Sequence, residues 1–173
     1  MNYKSKLNDI KAVVLDVDGV LTDGSLILLP DGSMTRTMSI RDGYAIQLAI
    51  KQNFPIAIIT GGRELAVKER MNYLGVTDVY LGSRHKVDDF YDFLSKYNLK
   101  ASEVAYMGDD IPDMEVMNMV GLPCCPKDAA PEIRKLSLYV SQKDGGKGCV
   151  RDILEQLLKV HGKWSDDVDV SST

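Results

Sequence analysis

Four groups of residues in this 173-residue chain have types and spacings that could do chemistry together. Asp16 and Asp18 flank Val17 and are followed at once by Gly19. Thr60 precedes Gly61 and Gly62. Lys86 stands alone, and Asp109, Asp110 and Asp113 cluster within Gly108-Asp109-Asp110-Ile111-Pro112-Asp113. Two carboxylates held as close as Asp16 and Asp18 need a cation, a shared proton or solvent. Asp16 and Asp109, with Asp110 as a further candidate, are hard oxygen donors of the kind Mg²⁺ takes. A threonine beside glycine amides can receive phosphate oxygens, and a lysine adds fixed positive charge. One carboxylate of the first pair could then attack phosphorus while the other gives a proton to the leaving oxygen and takes one from water. Each group alone also has an ordinary explanation: an acidic turn, a glycine turn, a solvated helix lysine. All four in this order, each near the end of a strand, make one site.

The elements that must position them follow from hydrophobic periodicity. Residues 12–15 form a continuous apolar, β-branched run, read as a strand buried on both faces. Residues 25–29 and 34–40 flank Pro30-Asp31-Gly32-Ser33, a hairpin signal. In the second arm Met34, Arg36 and Met38 share one face. Such a ribbon is marginal alone and needs a covering surface, for which a subunit interface is the preferred reading. The spacing predicts helices over 41–53, 63–73, 86–97, 114–119, 129–135 and 149–160. Strands are predicted over 54–59, 78–82, 104–107, 121–123 and 137–140, and a flexible, basic loop over 145–148. This alternation is an α/β, doubly wound, mostly parallel, Rossmann-like sheet with a projecting hairpin. Residues 1–162 read as one domain with the hairpin inserted at about 24–40, and 163–173 as a polar, loose tail. In a parallel sheet all the reactive strand ends lie on one edge.

Composition excludes several classes. Hydrophobic content of 45% and a net charge of −4 suit an ordinary globular domain and argue against a nucleic-acid surface. No apolar leader or membrane span is read, and the chain is expected to be cytoplasmic. Three cysteines, two of them adjacent, form neither a disulfide framework nor a zinc pattern.

Asp16-Val17-Asp18-Gly19-Val20, Thr60-Gly61, Lys86 and Gly108-Asp109-Asp110-Ile111-Pro112-Asp113 resemble the four motifs of the haloacid dehalogenase superfamily of phosphotransferases. The resemblance implies Asp16 as nucleophile, Asp18 as general acid/base, and Mg²⁺ held by Asp16, the backbone carbonyl of Asp18, and Asp109. It makes Asp110 and Asp113 outer carboxylates, Asp113 orienting Lys86. The intervals between motifs leave no room for a separate cap domain. Thr22-Asp23-Gly24, the hairpin, Arg41-Asp42-Gly43-Tyr44 and Gly145-Gly146-Lys147-Gly148 further resemble the capless family acting on 3-deoxy-D-manno-octulosonate 8-phosphate, over essentially the whole domain. That resemblance implies a small phosphorylated sugar acid as substrate, a role in lipopolysaccharide precursor synthesis, and a homotetramer whose neighbouring subunits cover each site. Thr60 and Lys86 enter as catalytic residues. Substrate contacts carried over are Asp18, Ser39, Ile40, Arg41, Asp42, Gly43, Gly61, Arg63, Arg70 and Lys86. Two departures stand out: Gly62 and Gln47 occupy positions where the family often has arginine.

Three rival readings are separable. A sister phosphatase for a nine-carbon sugar acid 9-phosphate shares the chemistry and differs in substrate preference. A non-hydrolytic phospho-receiver also groups carboxylates, a threonine and a lysine, but carries its acceptor on a later strand than its first acidic pair. A scaffold domain would not need the complete acidic set.

Overall fold

The computed structural model describes residues 2–165, and in it the sheet is six-stranded and wholly parallel. In chain order, β1 is Ala12–Leu15, β2 Ile27–Leu28 and β3 Met34–Thr35. Then come α1 Ile40–Lys51, β4 Ile56–Ile59, α2 Leu65–Tyr73, β5 Asp78–Tyr80 and α3 Lys86–Tyr97. β6 Val104–Met107, α4 Met114–Met117, β7 Leu122–Cys125, α5 Pro131–Leu136, β8 Tyr139–Val140 and α6 Cys149–Val160 complete it. The strand order is β5-β4-β1-β6-β7-β8. The chain winds outward from β1 through β4 to β5, then returns to β6 on the other side of β1. The β1–β6 boundary is therefore the switch point, where open α/β sheets leave a crevice at their C-terminal edge.

Alternation along β1 shows why its run is apolar throughout. Val13 and Leu15 face a core shared with α1, α2 and α6, while Ala12 and Val14 face one shared with α3, α4 and α5. The sheet is thus the middle of three layers. Lys86 is the first residue of α3, with Asp88 and Asp89 in the same turn suiting the helix dipole. Among the described residues, no helix is long and apolar enough to cross a membrane.

The structure differs from the periodicity in several places. The hairpin is real but its paired arms are two residues each, with Ile27 opposite Thr35 and Leu28 opposite Met34, because no third strand extends it. It leaves Leu26, Ile27, Leu28, Leu29 and Met34 exposed. α2 begins at Leu65, two residues later than its charged pattern suggests, so 61–64 form a non-helical link. Trp164, assigned to a loose tail, packs edge-on against Tyr44 with the Arg151 guanidinium 5.4 Å from its ring; the rest of that tail, 166–173, lies outside the described residues. A 3₁₀ turn at Tyr3–Asp9 was not anticipated, since Leu7 is its single buried residue.

The glycine-rich segment after β8 also departs from the expected flexible loop. The Gly145 amide donates to Asp128 Oδ1 at 2.9 Å, and the Gly146 amide to the Val20 carbonyl at 2.9 Å. A Cβ on Gly145 would collide with the carbonyl oxygens of Gly19 and Thr22. The segment is a buttress under the 16–22 turn, and only glycine permits that backbone approach. Gly145→Ala is therefore expected to lower unfolding stability by about 1–3 kcal/mol in chemical denaturation; an unchanged midpoint would show that the buttress does not bear on this turn.

Candidate active site

Asp16 follows directly after β1 and Asp109 two residues after β6, so both carboxylates enter the crevice at the switch point. Asp16 is buried; its Oδ1 accepts the Val17 amide at 2.7 Å and its Oδ2 lies 3.0 Å from Lys86 Nζ. Lys86 Nζ also donates to Asp113 Oδ1 at 2.7 Å. That same Oδ1 accepts the hydroxyl of the fully buried Tyr106 at 2.6 Å, and Asp113 Oδ2 accepts the Asp109 amide at 3.1 Å. Gly19, at φ +78°, has no room for a Cβ because the Asp109 carboxylate occupies that space.

The electrostatics of this cluster are unbalanced. Burial first, and then the Asp113 carboxylate, push Asp16 up to about 8 against the pull of Lys86 and the Val17 amide. Burial, Asp113 and Asp110 push Asp109 up to about 7. Burial works against the Lys86 ammonium, but the Asp16 and Asp113 carboxylates outweigh it and raise its pKa. One ammonium thus faces three carboxylates whose oxygens lie within 4.8 Å of one another.

A divalent cation fits this donor set. Both oxygens of Asp113 already accept hydrogen bonds, so Asp113 orients Lys86 and the Asp109 backbone while Asp16 and Asp109 have oxygen capacity to bind. Mg²⁺, which takes one or two carboxylates and keeps waters, suits them. Asp110 is exposed at the rim, its Oδ1 accepting the Ile111 amide at 2.8 Å.

The surrounding cavity, about 530 Å³, is lined by Asp16, Asp18, Thr60, Gly61, Lys86 and Asp109, together with Asp110 and Gly62. Thr60 follows directly after β4, and its Oγ1 accepts the Gly62 amide at 3.1 Å. That amide is turned inward, and the later start of α2 removes Gly61 and Gly62 from a helix N-terminus. Ser83 and Arg84 also line the cavity. They carry no motif, and nothing in the sequence singled them out. The Ser83 hydroxyl is buried with no protein partner.

The remaining predicted contacts separate. Arg70 and Ile40 line a second cavity of about 440 Å³ beneath the hairpin, with Arg36, Met34, Met38 and Glu64. Ser39 caps α1, accepting the Asp42 amide, and Gly43 leaves room for the Arg70 guanidinium. Arg41 is exposed on the first turn of α1. Asp42, expected among the substrate contacts, is instead buried and accepts the Arg151 amide at 2.7 Å, fixing the start of α6; burial raises it to about 6. Arg63 is exposed, would be the first neighbour of a Cβ on Gly82, and lines neither cavity.

Arg36 is the residue that sequence reasoning missed. Its Nε donates to Asp18 Oδ1 at 2.5 Å and its Nη2 to Asp18 Oδ2 at 3.2 Å, while Nη1 lies 3.2 Å from Glu64 Oε2. Alternation had placed it on a face with two methionines. The available signal was its charge, a lone cation on an otherwise uncharged hairpin arm.

This fold and these strand ends define a hydrolase of the haloacid dehalogenase superfamily. No protein-family model matches the chain. It is 38% identical over 162 residues to 3-deoxy-D-manno-octulosonate 8-phosphate phosphatase KdsC of Escherichia coli K12, covering 94% of this chain and 86% of the relative. The crystal structure of the phosphatase of that name from Yersinia pestis superposes with a TM-score of 0.91 at 33% identity, over 94% of this chain and 88% of the other. That from Moraxella catarrhalis, solved with magnesium ion, phosphate ion and KDO, gives a TM-score of 0.87 at 31% identity, over 91% and 90%. The chain belongs to the 3-deoxy-D-manno-octulosonate 8-phosphate phosphatase family.

The raised carboxylates set a pH dependence with a definite sign. Asp16 and Asp109 bind protons more tightly folded, at about 8 and about 7, than in the unfolded chain at about 4. The folded state therefore holds more protons across that window, and stability falls as pH rises through it. In chelator, the melting temperature is expected to fall between pH 5 and pH 8 from this cluster. Added Mg²⁺ is expected to raise it more at pH 8, where protons no longer compete. An equal Mg²⁺ effect at both pH values would contradict the assignment of these two carboxylates.

Proposed function

We propose that this chain is a Mg²⁺-dependent phosphatase that hydrolyses 3-deoxy-D-manno-octulosonate 8-phosphate to the free sugar acid and phosphate. The observation that carries the reading is Lys86, held between Asp16 and Asp113 beside Asp109 at the sheet's switch point, in a chain of this family. The KDO, phosphate and magnesium bound by the Moraxella relative supply the substrate class and the metal.

The steps assign roles to this chain's own groups. An Asp16 carboxylate oxygen attacks phosphorus in line with the departing sugar oxygen, and the P–O bond to C8 breaks as an aspartyl-phosphate forms. Asp18 gives its proton to the leaving oxygen. It then takes one from water, whose oxygen attacks the aspartyl-phosphate; phosphate leaves and Asp16 is restored. Thr60 and the Gly61 backbone receive phosphoryl oxygens, and Lys86 offsets charge on both the phosphoryl group and Asp16. When bound by Asp16, Asp109 and the Asp18 carbonyl, Mg²⁺ supplies the remaining neutralisation of the transferring group.

The exposed Leu26, Ile27, Leu28, Leu29 and Met34 support a homotetramer assembled through the hairpins, with neighbouring subunits covering each site. Three free, buried cysteines accord with a reducing cytoplasm. Sedimentation is expected to give about four times the 19.2 kDa chain mass for wild type, and smaller species for Leu28→Glu. A wild-type monomer would remove the tetramer.

Phosphate release from a panel of sugar phosphates, with Mg²⁺ and with chelator, tests the function. Turnover is expected to be Mg²⁺-dependent and highest on the eight-carbon acid, with none from Asp16→Asn. A tenfold or greater kcat/KM preference for a nine-carbon acid 9-phosphate would reassign the substrate, and Asp16→Asn activity near wild type would remove the nucleophile.

A further inference from the structure

Asp18 lines the catalytic cavity with 41% of its side chain accessible, and both of its carboxylate oxygens are engaged by a single partner. Arg36 reaches in from the hairpin and takes both, Nε to Oδ1 at 2.5 Å and Nη2 to Oδ2 at 3.2 Å. Glu64 anchors the far side of the same guanidinium at 3.2 Å. Although the hairpin is exposed, the Arg36 side chain is only 8% accessible. The group also fills the space above Gly62. A Cβ there would lie 3.0 Å from Glu64 Oε2 and 3.6 Å from Arg36 Nη2, so a larger residue at 62 would crowd the pair. The pair stands at the boundary of the two cavities, with Asp18 on the wall of one and Arg36, Glu64 and Arg70 on the wall of the other.

We propose that Arg36 is a latch on Asp18 that the carboxylate of the substrate releases. This rests on the phosphatase reading above. While the fork holds both oxygens, the Asp18 carboxylate stays turned to Arg36 and is not free to swing onto the leaving oxygen or onto water. A phosphorylated sugar acid seated with its phosphoryl group at Asp16 extends its carbon chain toward the second cavity. Its carboxylate then offers the guanidinium a partner of the same chemistry as Asp18. The exchange is carboxylate for carboxylate, with the bidentate fork preserved. A neutral sugar phosphate offers no replacement, so opening the latch must come out of its own binding energy. In a chain without a cap domain, the latch makes turnover conditional on the acid group, with Arg36 acting where Gly62 leaves no side chain of its own.

The test compares kcat and KM of wild type, Arg36→Ala and Arg36→Lys at saturating Mg²⁺. The substrates are the eight-carbon acid phosphate and a neutral hexose phosphate, with folding checked by thermal melts. For Arg36→Ala, the hexose phosphate kcat is expected to rise about threefold or more as Asp18 is freed, while kcat/KM for the acid falls about tenfold or more. Arg36→Lys keeps the charge but not the fork. It should raise hexose phosphate turnover while holding the KM for the acid within about threefold of wild type. If Arg36→Ala does not fold, Arg36→Lys alone decides. A pair that merely ties the hairpin down would lower both substrates together. That result, or an acid-over-hexose preference unchanged within twofold, overturns the latch. Wild type that hydrolyses neither substrate defeats the phosphatase reading, and the latch with it. Wild-type turnover with parallel losses defeats the latch alone.

Discussion

Lys86 Nζ lies 3.0 Å from Asp16 and 2.7 Å from Asp113, with Asp109 alongside, and it is the cation this buried cluster holds. Carboxylates brought this close repel one another, and in a buried site the cost is greater than in water. The fold sustains the arrangement by supplying donors at defined points. Tyr106 and the Asp109 amide engage both oxygens of Asp113, and the Val17 amide steadies Asp16. What these donors leave unbalanced is charge that a divalent cation and a phosphoryl group can share. The same imbalance that burdens the folded state prepares the site to stabilise a charged transition state.

The rest of the architecture brings these groups to one point. A parallel sheet whose strand order reverses between β1 and β6 delivers Asp16 and Asp109 side by side from segments nearly a hundred residues apart. The core layers on both faces fix those strands, so the site stands on rigid elements. The parts that govern access are lighter. The hairpin pairs only two residues in each arm, yet it carries Arg36 into contact with Asp18, and the glycine turn at 145–146 supports the opposite side of the same loop. A short, exposed ribbon bearing a charged contact can respond to a ligand or a neighbouring subunit where a strand of the main sheet cannot.

Much of this was legible in the sequence because it is written in short-range pattern. The apolar, β-branched run before Asp16 reads as a strand buried on both faces, and α3, β6 and α6 are bounded correctly by their stripes of apolar residues. The parallel sheet followed from alternation, and with it the convergence of Asp16, Asp18, Thr60, Lys86 and Asp109 on one cavity. What escaped depends on contacts between distant segments. Asp42 sits in a motif beside substrate-contact candidates, but its partner is an amide more than a hundred residues later. Gly145 looks like a flexible loop until Gly19 is placed against it. Arg36 shares a face with Met34 and Met38 in a flat ribbon, and only the fold of the ribbon over the sheet edge turns it onto Asp18. Local periodicity carries no information about such encounters.

The most direct test of the central claim is to locate the phosphoryl group during turnover. Substrate labelled in the phosphate would be mixed with enzyme and Mg²⁺, quenched in acid within one turnover, and the chain digested and sequenced by mass spectrometry. The account predicts label on the peptide bearing Asp16, located to Asp16 itself, and none when chelator replaces Mg²⁺. Label on Asp18, or steady Mg²⁺-dependent release of phosphate with no labelled carboxylate at any quench time, would contradict it.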